Sequence, residues 1–193
     1  MGEMIFDDKT IICNDCLGAR LYEKLGKQFS NPFMWNVIKP ADFLKLCANW
    51  NKIDFEKIRS IYDKENNMYG LEIDNKISIY YPHYKKDDSH LTPFKQGVDV
   101  FYKFIDKYIT EKYFARLERM KERPIFILDV DRNFGSNYEP EHVRIFSGMK
   151  DIEKIIVSKP DERFNDLIDV KLDNSFKLSS GEKARQIIKH YYE

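Results

Sequence analysis

The stretch that most constrains this chain is Thr10-Ile-Ile-Cys-Asn-Asp-Cys-Leu-Gly18. Its first half is a β-rich apolar run. Its second half passes straight into a pattern in which Leu17, Leu21 and Leu25 recur four apart, with Arg20, Glu23 and Lys24 on other faces. A change of hydrophobic period this abrupt leaves room only for a tight turn, so the stretch reads as strand, turn and the first turn of a helix that Gly26 stops. Cys16 then falls at the helix N-terminus, where free backbone N–H groups and a partial positive charge stabilise a thiolate.

The same alternation continues down the chain. Ser30-Asn31-Pro32 is a turn, and Phe33-Met34-Trp35 is an apolar stretch suited to packing beside the first helix. Pro40 opens a second helix, with Phe43, Leu44, Leu46, Cys47 and Trp50 available to bury. Asp54 is placed to cap a short third helix through Ile58, Ile61 and Tyr62. Two alternating runs around Asp74-Asn75 form a hairpin that ends in Tyr81-Pro-His83. A helical pattern covers residues 92–123, and Pro124 then starts Ile125-Phe-Ile-Leu-Asp-Val130, the strongest strand signal present. Residues 141–149 read as a short helix, and residues 155–157 and 167–172 as strands. Ser179 with Glu182 gives a capping box for a C-terminal helix. Strands alternating with helices predict a single α/β domain over residues 1–193, with a mainly parallel central sheet flanked by helices and one antiparallel hairpin edge.

Charge and leader signals exclude several classes. The 32 basic and 32 acidic residues cancel, so no global field favours nucleic acid or anionic lipid. No apolar run approaches a membrane span, and residues 1–9 carry no signal-peptide core. Three cysteines without an export signal predict a reducing, cytoplasmic setting. The expected ligand is therefore a small-molecule or glycan substrate, with no nucleic acid and no membrane span.

In parallel sheets ligands bind beyond the carboxyl ends of the strands. Cys16, His83 and Asp129/Asp131 each lie at or just past such an end, so parallel strands would bring them to one rim. Cys16 is then a candidate nucleophile, with His83 as general base and Asp129 or Asp131 orienting the imidazole. Each has an ordinary alternative: a buried packing cysteine, a hydrogen-bonded structural histidine, turn-forming aspartates. Asp-Val-Asp with Asn133 also offers oxygen ligands of the kind magnesium takes, but no metal site is assigned. Asn14 and the backbone N–H groups of Leu17 and Gly18 are candidates for an oxyanion hole. Arg116 and Arg119, three apart on one helix face, and Arg132 could clamp a phosphate or carboxylate, including the phosphates of coenzyme A as an acyl donor. Cys13 and Cys47 read as core. Cys13-x-x-Cys16 also permits dithiol redox chemistry, although in such motifs the first cysteine attacks and here the second holds the helix end.

The blocks Ile12-Cys-Asn-Asp-Cys-Leu-Gly18, Tyr22-Glu-Lys-Leu-Gly26, Phe29-Ser-Asn-Pro-Phe33, Asp42-Phe-Leu-Lys45, Tyr81-Pro-His-Tyr84 and Arg116-Leu-Glu-Arg119, in this order, resemble a bacterial family of unknown function. Its members are often labelled exopolysaccharide biosynthesis proteins. A related family is labelled putative papain-like cysteine peptidase. The resemblance implies a functional Asn14-x-Cys16 element, a strand-end His83 and a role near surface polysaccharides. Together these readings predict a cysteine-nucleophile enzyme catalysing acyl transfer or hydrolysis on a glycan or glycan precursor. The alternatives are a non-catalytic sugar- or nucleotide-sugar-binding protein of the same pathway and a Cys-x-x-Cys redox protein.

Overall fold

A computed structural model of the chain describes residues 5–63, 65, 68–82, 98–121, 123–131, 138–173 and 178–192, with side chains in the long helix from residue 107 onward. Among the described residues, eight strands and five α-helices follow in the order β1 (Thr10–Cys13), α1 (Leu17–Lys24), β2 (Val37–Ile38), α2 (Pro40–Asn49), β3 (Ile58–Asp63), β4 (Met68–Ile73), β5 (Ile77–Tyr81), α3 (Val98–Leu117), β6 (Pro124–Asp129), α4 (Pro140–Gly148), β7 (Glu153–Ser158), β8 (Val170–Lys171) and α5 (Ser180–Tyr192). They build an α/β fold with two sheets. The first is all parallel, in the order β1-β6-β7-β8; the second is antiparallel, in the order β2-β5-β4-β3.

The parallel sheet sorts its side chains by alternation, because successive residues of a strand point to opposite faces. Ile11, Cys13, Ile125, Ile127, Ile155 and Val157 form one core with Leu17 and Leu21 of α1 and Ala184 and Ile187 of α5. Their neighbours Ile12, Phe126, Leu128 and Ile156 face the other way, into a second core with Phe43 and Leu46 of α2, Val143 and Phe146 of α4, and Leu71, Ile73, Ile77 and Ile79 of the antiparallel sheet. Both faces are covered, which explains why β6 and β7 read as continuous apolar runs rather than alternating ones.

Two expectations need correction. The hairpin is not an edge of the parallel sheet; with β2 and β3 it forms a separate sheet stacked across the second core. The cause is the segment expected to be a third helix. Residues Ile58–Asp63 pair antiparallel with β4 along their full length, giving the hairpin its own outer strand. Ile58, Ile61 and Tyr62 had suggested a helical stripe, but Ile and Tyr also fit a half-buried strand, and cross-strand pairing decides between them.

Local chemistry accounts for the remaining elements. Asp74 and Asn75 both sit at positive φ (50° and 52°), the turn geometry that fits the twist of a two-residue hairpin. Pro40 occupies the first turn of α2. Gly26, at φ 63°, ends the helical run as expected. Ser179 and Glu182 form the expected box: the Ser179 N–H donates to Glu182 Oε2 (2.7 Å) and the Glu182 N–H donates to Ser179 Oγ (3.3 Å). Among the described residues no helix is long and apolar enough to cross a membrane.

Candidate functional site

Strands β1 and β6 are adjacent and parallel, yet the helices that follow them lie on opposite faces: α1 in the first core, α4 in the second. The carboxyl ends of the strands are the usual ligand position in such sheets. Asn14, Cys16, Asp129 and Asp131 all lie at that rim.

Asn14 closes the rim. Beyond the last β1 residue its side chain acts as a further rung of the ladder. Nδ2 donates to the Asp129 carbonyl (2.9 Å) and Oδ1 accepts from the Asp129 N–H (2.8 Å). Its own carbonyl accepts from the Ile38 N–H (2.9 Å), which fastens β2 to the same corner.

Asp129 is fully buried, and Lys183 of α5, 2% exposed, donates to both of its carboxylate oxygens at 2.8 and 2.7 Å. Lys183 also donates to the Asp131 carbonyl. Burial pushes the Asp129 carboxyl up to about 8; nearby Asp15 adds to the rise and Lys183 opposes it. Both oxygens of this carboxylate are committed to anchoring α5. The Asp131 side chain, half-buried, accepts from the Lys159 N–H through Oδ2.

At the β1–α1 turn, Asp15 Oδ1 accepts from the Leu17 N–H at 2.9 Å and lies 3.3 Å from Cys13 Sγ. The Leu17 N–H is thereby engaged within the turn. Cys13 is buried beneath α1, and desolvation pushes its thiol well above the usual range, with Asp15 and Asp129 adding to the effect. Gly18 passes directly over it: a Cβ there would meet Cys13 Cβ at 2.9 Å. Cys47, in the second core, is also pushed up by burial.

Cys16 differs from both. It is the N-terminal capping residue of α1, 6% exposed, and its Sγ lies 3.9 Å from the Asn36 carbonyl. It lines a pocket of about 400 Å³ that runs along α1 and meets the N-terminal turns of α5, with Arg20, Lys24, Trp35, Gly181 and Arg185 among the walls. A larger pocket of about 490 Å³ is lined by Pro124 and Glu153, at the amino ends of β6 and β7, the wrong edge for a parallel-sheet ligand.

The expected partner of Cys16, His83, lies outside the described residues, as does Arg132. The route to that histidine differs from expectation. Strand β5 does not belong to the parallel sheet, but its register sets Tyr80 opposite Val37, one residue from Asn36. Antiparallel pairing with β2, rather than parallel order, therefore carries the end of β5 toward the Cys16 corner. Arg116 and Arg119 do not converge on Cys16. Arg119 Nε donates to the Phe29 carbonyl (3.0 Å), and the Arg116 guanidinium stands 5.8 Å from the Phe29 ring in a second cleft of about 270 Å³ that also holds Trp35 and Tyr81.

Sequence reasoning passed over three features of this corner. Trp35, which lines both clefts, adopts φ 59°, an outlier for a bulky side chain, and the Arg20 guanidinium stacks 4.7 Å above its ring. Asn36 is fully buried, and among the described residues neither its Oδ1 nor its Nδ2 has a hydrogen-bond partner. Lys183 was read only as part of the C-terminal helix. The Met-Trp-Asn run carries no sequence signal for either oddity, since strain and orphaned polarity appear only once the segment is folded over β1.

Fold and site define an α/β protein with a cysteine-bearing pocket beyond the carboxyl end of an edge strand of a parallel sheet. Residues 2–95, a little under half of the chain, match a family described as "Domain of unknown function (DUF1919)", so the chain is similar to that family over its first half. No curated protein matches the chain.

Proposed function

We propose that this protein is a cysteine-dependent enzyme of acyl transfer or hydrolysis, acting on a glycan or glycan precursor, with Cys16 as nucleophile. The observation that carries this reading is the contrast among the three cysteines. Cys13 and Cys47 are sealed in cores that hold their thiols protonated. Cys16 lines a pocket at a helix N-terminus on the ligand-binding edge of the sheet.

In this scheme His83 takes the Cys16 proton, and the thiolate attacks the acyl carbon. The leaving group departs with that proton, giving a thioester. Water or a sugar hydroxyl, deprotonated by His83, then attacks the thioester and returns the thiol. Asp129 is committed to Lys183, so the carboxylate assigned to orient the imidazole is Asp131. The Gly18 N–H is the oxyanion donor we retain, because the Leu17 N–H is engaged by Asp15. The glycan assignment rests on the family resemblance of the sequence blocks.

Alkylation mapping tests the nucleophile. Native protein treated with iodoacetamide at neutral pH and digested should carry label on Cys16 faster than the urea-unfolded chain does, with Cys13 and Cys47 protected. A native Cys16 that reacts no faster than in the unfolded chain would overturn the enzyme reading in favour of a binding protein.

A further inference from the structure

The charge of the Cys16 pocket is out of proportion to that of the chain. Overall the 32 basic and 32 acidic residues balance, yet Arg20, Lys24 and Arg185 line this one pocket against a single lining carboxylate, Glu23. That carboxylate is already engaged, since Arg20 Nη1 contacts Glu23 Oε2 at 2.7 Å. Lys24 and Arg185 enter no ion pair among the described residues. The remaining acid nearby, Glu182, is turned into the α5 cap, where Ser179 holds its carboxyl below the usual range and Arg185 adds to the effect. Exposed Lys24 of α1 and exposed Arg185 of α5, the latter also within the field of Glu182, thus line one cavity that also holds the candidate nucleophile. The third cation, Arg20, stacks against the ring of Trp35, a residue held in the left-handed backbone region.

We infer that the pocket binds an anionic group of the substrate, a phosphate ester or a carboxylate, between Lys24 of α1 and Arg185 of α5. The inference rests on the reading of Cys16 as the reacting thiol. It narrows the substrate of that site from any acylated glycan to one bearing a negative charge close to the acyl group. An anion between the two cations is held by charge-assisted hydrogen bonds that also fix its orientation. Arg116 and Arg119, the arginines singled out in the sequence for this task, lie around Phe29 instead.

Two alkylating reagents of similar size and opposite electrostatics test this directly. Iodoacetate is anionic and iodoacetamide neutral, so the ratio of their rates at Cys16 reports the field in the pocket. In the full-length native protein at low ionic strength, that ratio should exceed the ratio in the urea-unfolded chain roughly fourfold, about twofold for each of the two cations. It should fall back in 1 M salt. Lys24→Ala and Arg185→Ala should each lower it, Arg185→Lys should keep it, and Lys24→Glu should bring it down to about the unfolded value. Inorganic phosphate and glucuronate, used as separate competitors, tell phosphate from carboxylate by which slows labelling at lower concentration; glucose should slow nothing. If iodoacetamide labels native Cys16 rapidly but the iodoacetate ratio equals that of the unfolded chain, the anion site is refuted and the nucleophile stands. If neither reagent labels native Cys16 faster than the unfolded chain, the nucleophile reading itself fails. A raised ratio that neither alanine variant changes refutes the assignment to Lys24 and Arg185.

Discussion

Replacing Lys183 with Met or Asp129 with Asn, singly and with Asp129→Leu in a double variant, probes the most consequential contact at the rim. The two side chains are essentially inaccessible, and three hydrogen bonds run from one ammonium to the Asp129 carboxylate and the Asp131 carbonyl. Removing one partner strands the other in a dry site, which costs about 3–5 kcal/mol, a large share of the 5–15 kcal/mol that stabilises an ordinary domain. Replacing both with apolar groups removes the stranded charge, so Lys183→Met with Asp129→Leu should be more stable than either single variant. The pH dependence gives a sharper criterion. The Asp129 carboxyl is raised from an ordinary 3.8 to about 8, so its proton stabilises the fold fully below 3.8 and this contribution is lost as pH rises through about 8. Lys183 opposes that rise, so without it the folded carboxyl holds its proton still longer and the penalty of Lys183→Met should grow as pH climbs past 8. Asp129→Asn leaves a buried ammonium instead. This variant has no acid to deprotonate at that position, so its penalty should shrink as pH rises towards about 8 and the native protein loses stability. Urea unfolding followed by circular dichroism from pH 5 to 9 measures both slopes. Penalties below about 1 kcal/mol with no opposite pH trends would show that the pair is wet and that α5 is held by its apolar face alone.

Two further substitutions test the corner around Cys16. Gly18→Ala should destabilise the fold by about 1–2 kcal/mol despite its better helix propensity, because its Cβ meets Cys13 Cβ at 2.9 Å. Cys13→Ala, which keeps that carbon, should not rescue it, and rescue would disprove the clash. Asn36→Leu should raise the thermal midpoint, since an unpaired buried amide costs about 1–3 kcal/mol and leucine has similar volume; a lowered midpoint would show that the amide makes a hydrogen bond.

Local signals carried the elements whose residues have one reading. The Asp74-Asn75 turn, Pro40, Gly26 and the Ser179/Glu182 box each appear where their backbone chemistry demands, and Thr10–Cys13 and Pro124–Asp129 pair in parallel as their apolar runs suggested. The failure at residues 58–63 is of another kind. Ile-Arg-Ser-Ile-Tyr-Asp satisfies helical and strand patterns alike, and the choice is made by β4, a non-local partner. The candidate site divides along the same line. The cysteine at the strand–helix junction was legible, because both its neighbours in sequence and the helix terminus are local. Lys183 was not, because its partner Asp129 is far away in the chain, and a lysine in a helix four residues past a capping serine looks like any solvated one.

That long-range pair also bears on why the pocket can exist at all. A pocket at the end of a strand leaves backbone groups that must find partners. Here the backbone of Asp129 is taken up by the Asn14 amide on the β1 side, while its carboxylate holds Lys183 on the α5 side. One residue at the end of β6 therefore fixes both walls of the corner: the turn that presents Cys16 and the helix that presents Arg185. Neither contact uses the open pocket, so the rim is rigid without being filled. Cys16 and Arg185 line the same cavity, and the contacts of Asp129 tie their two walls together from behind it.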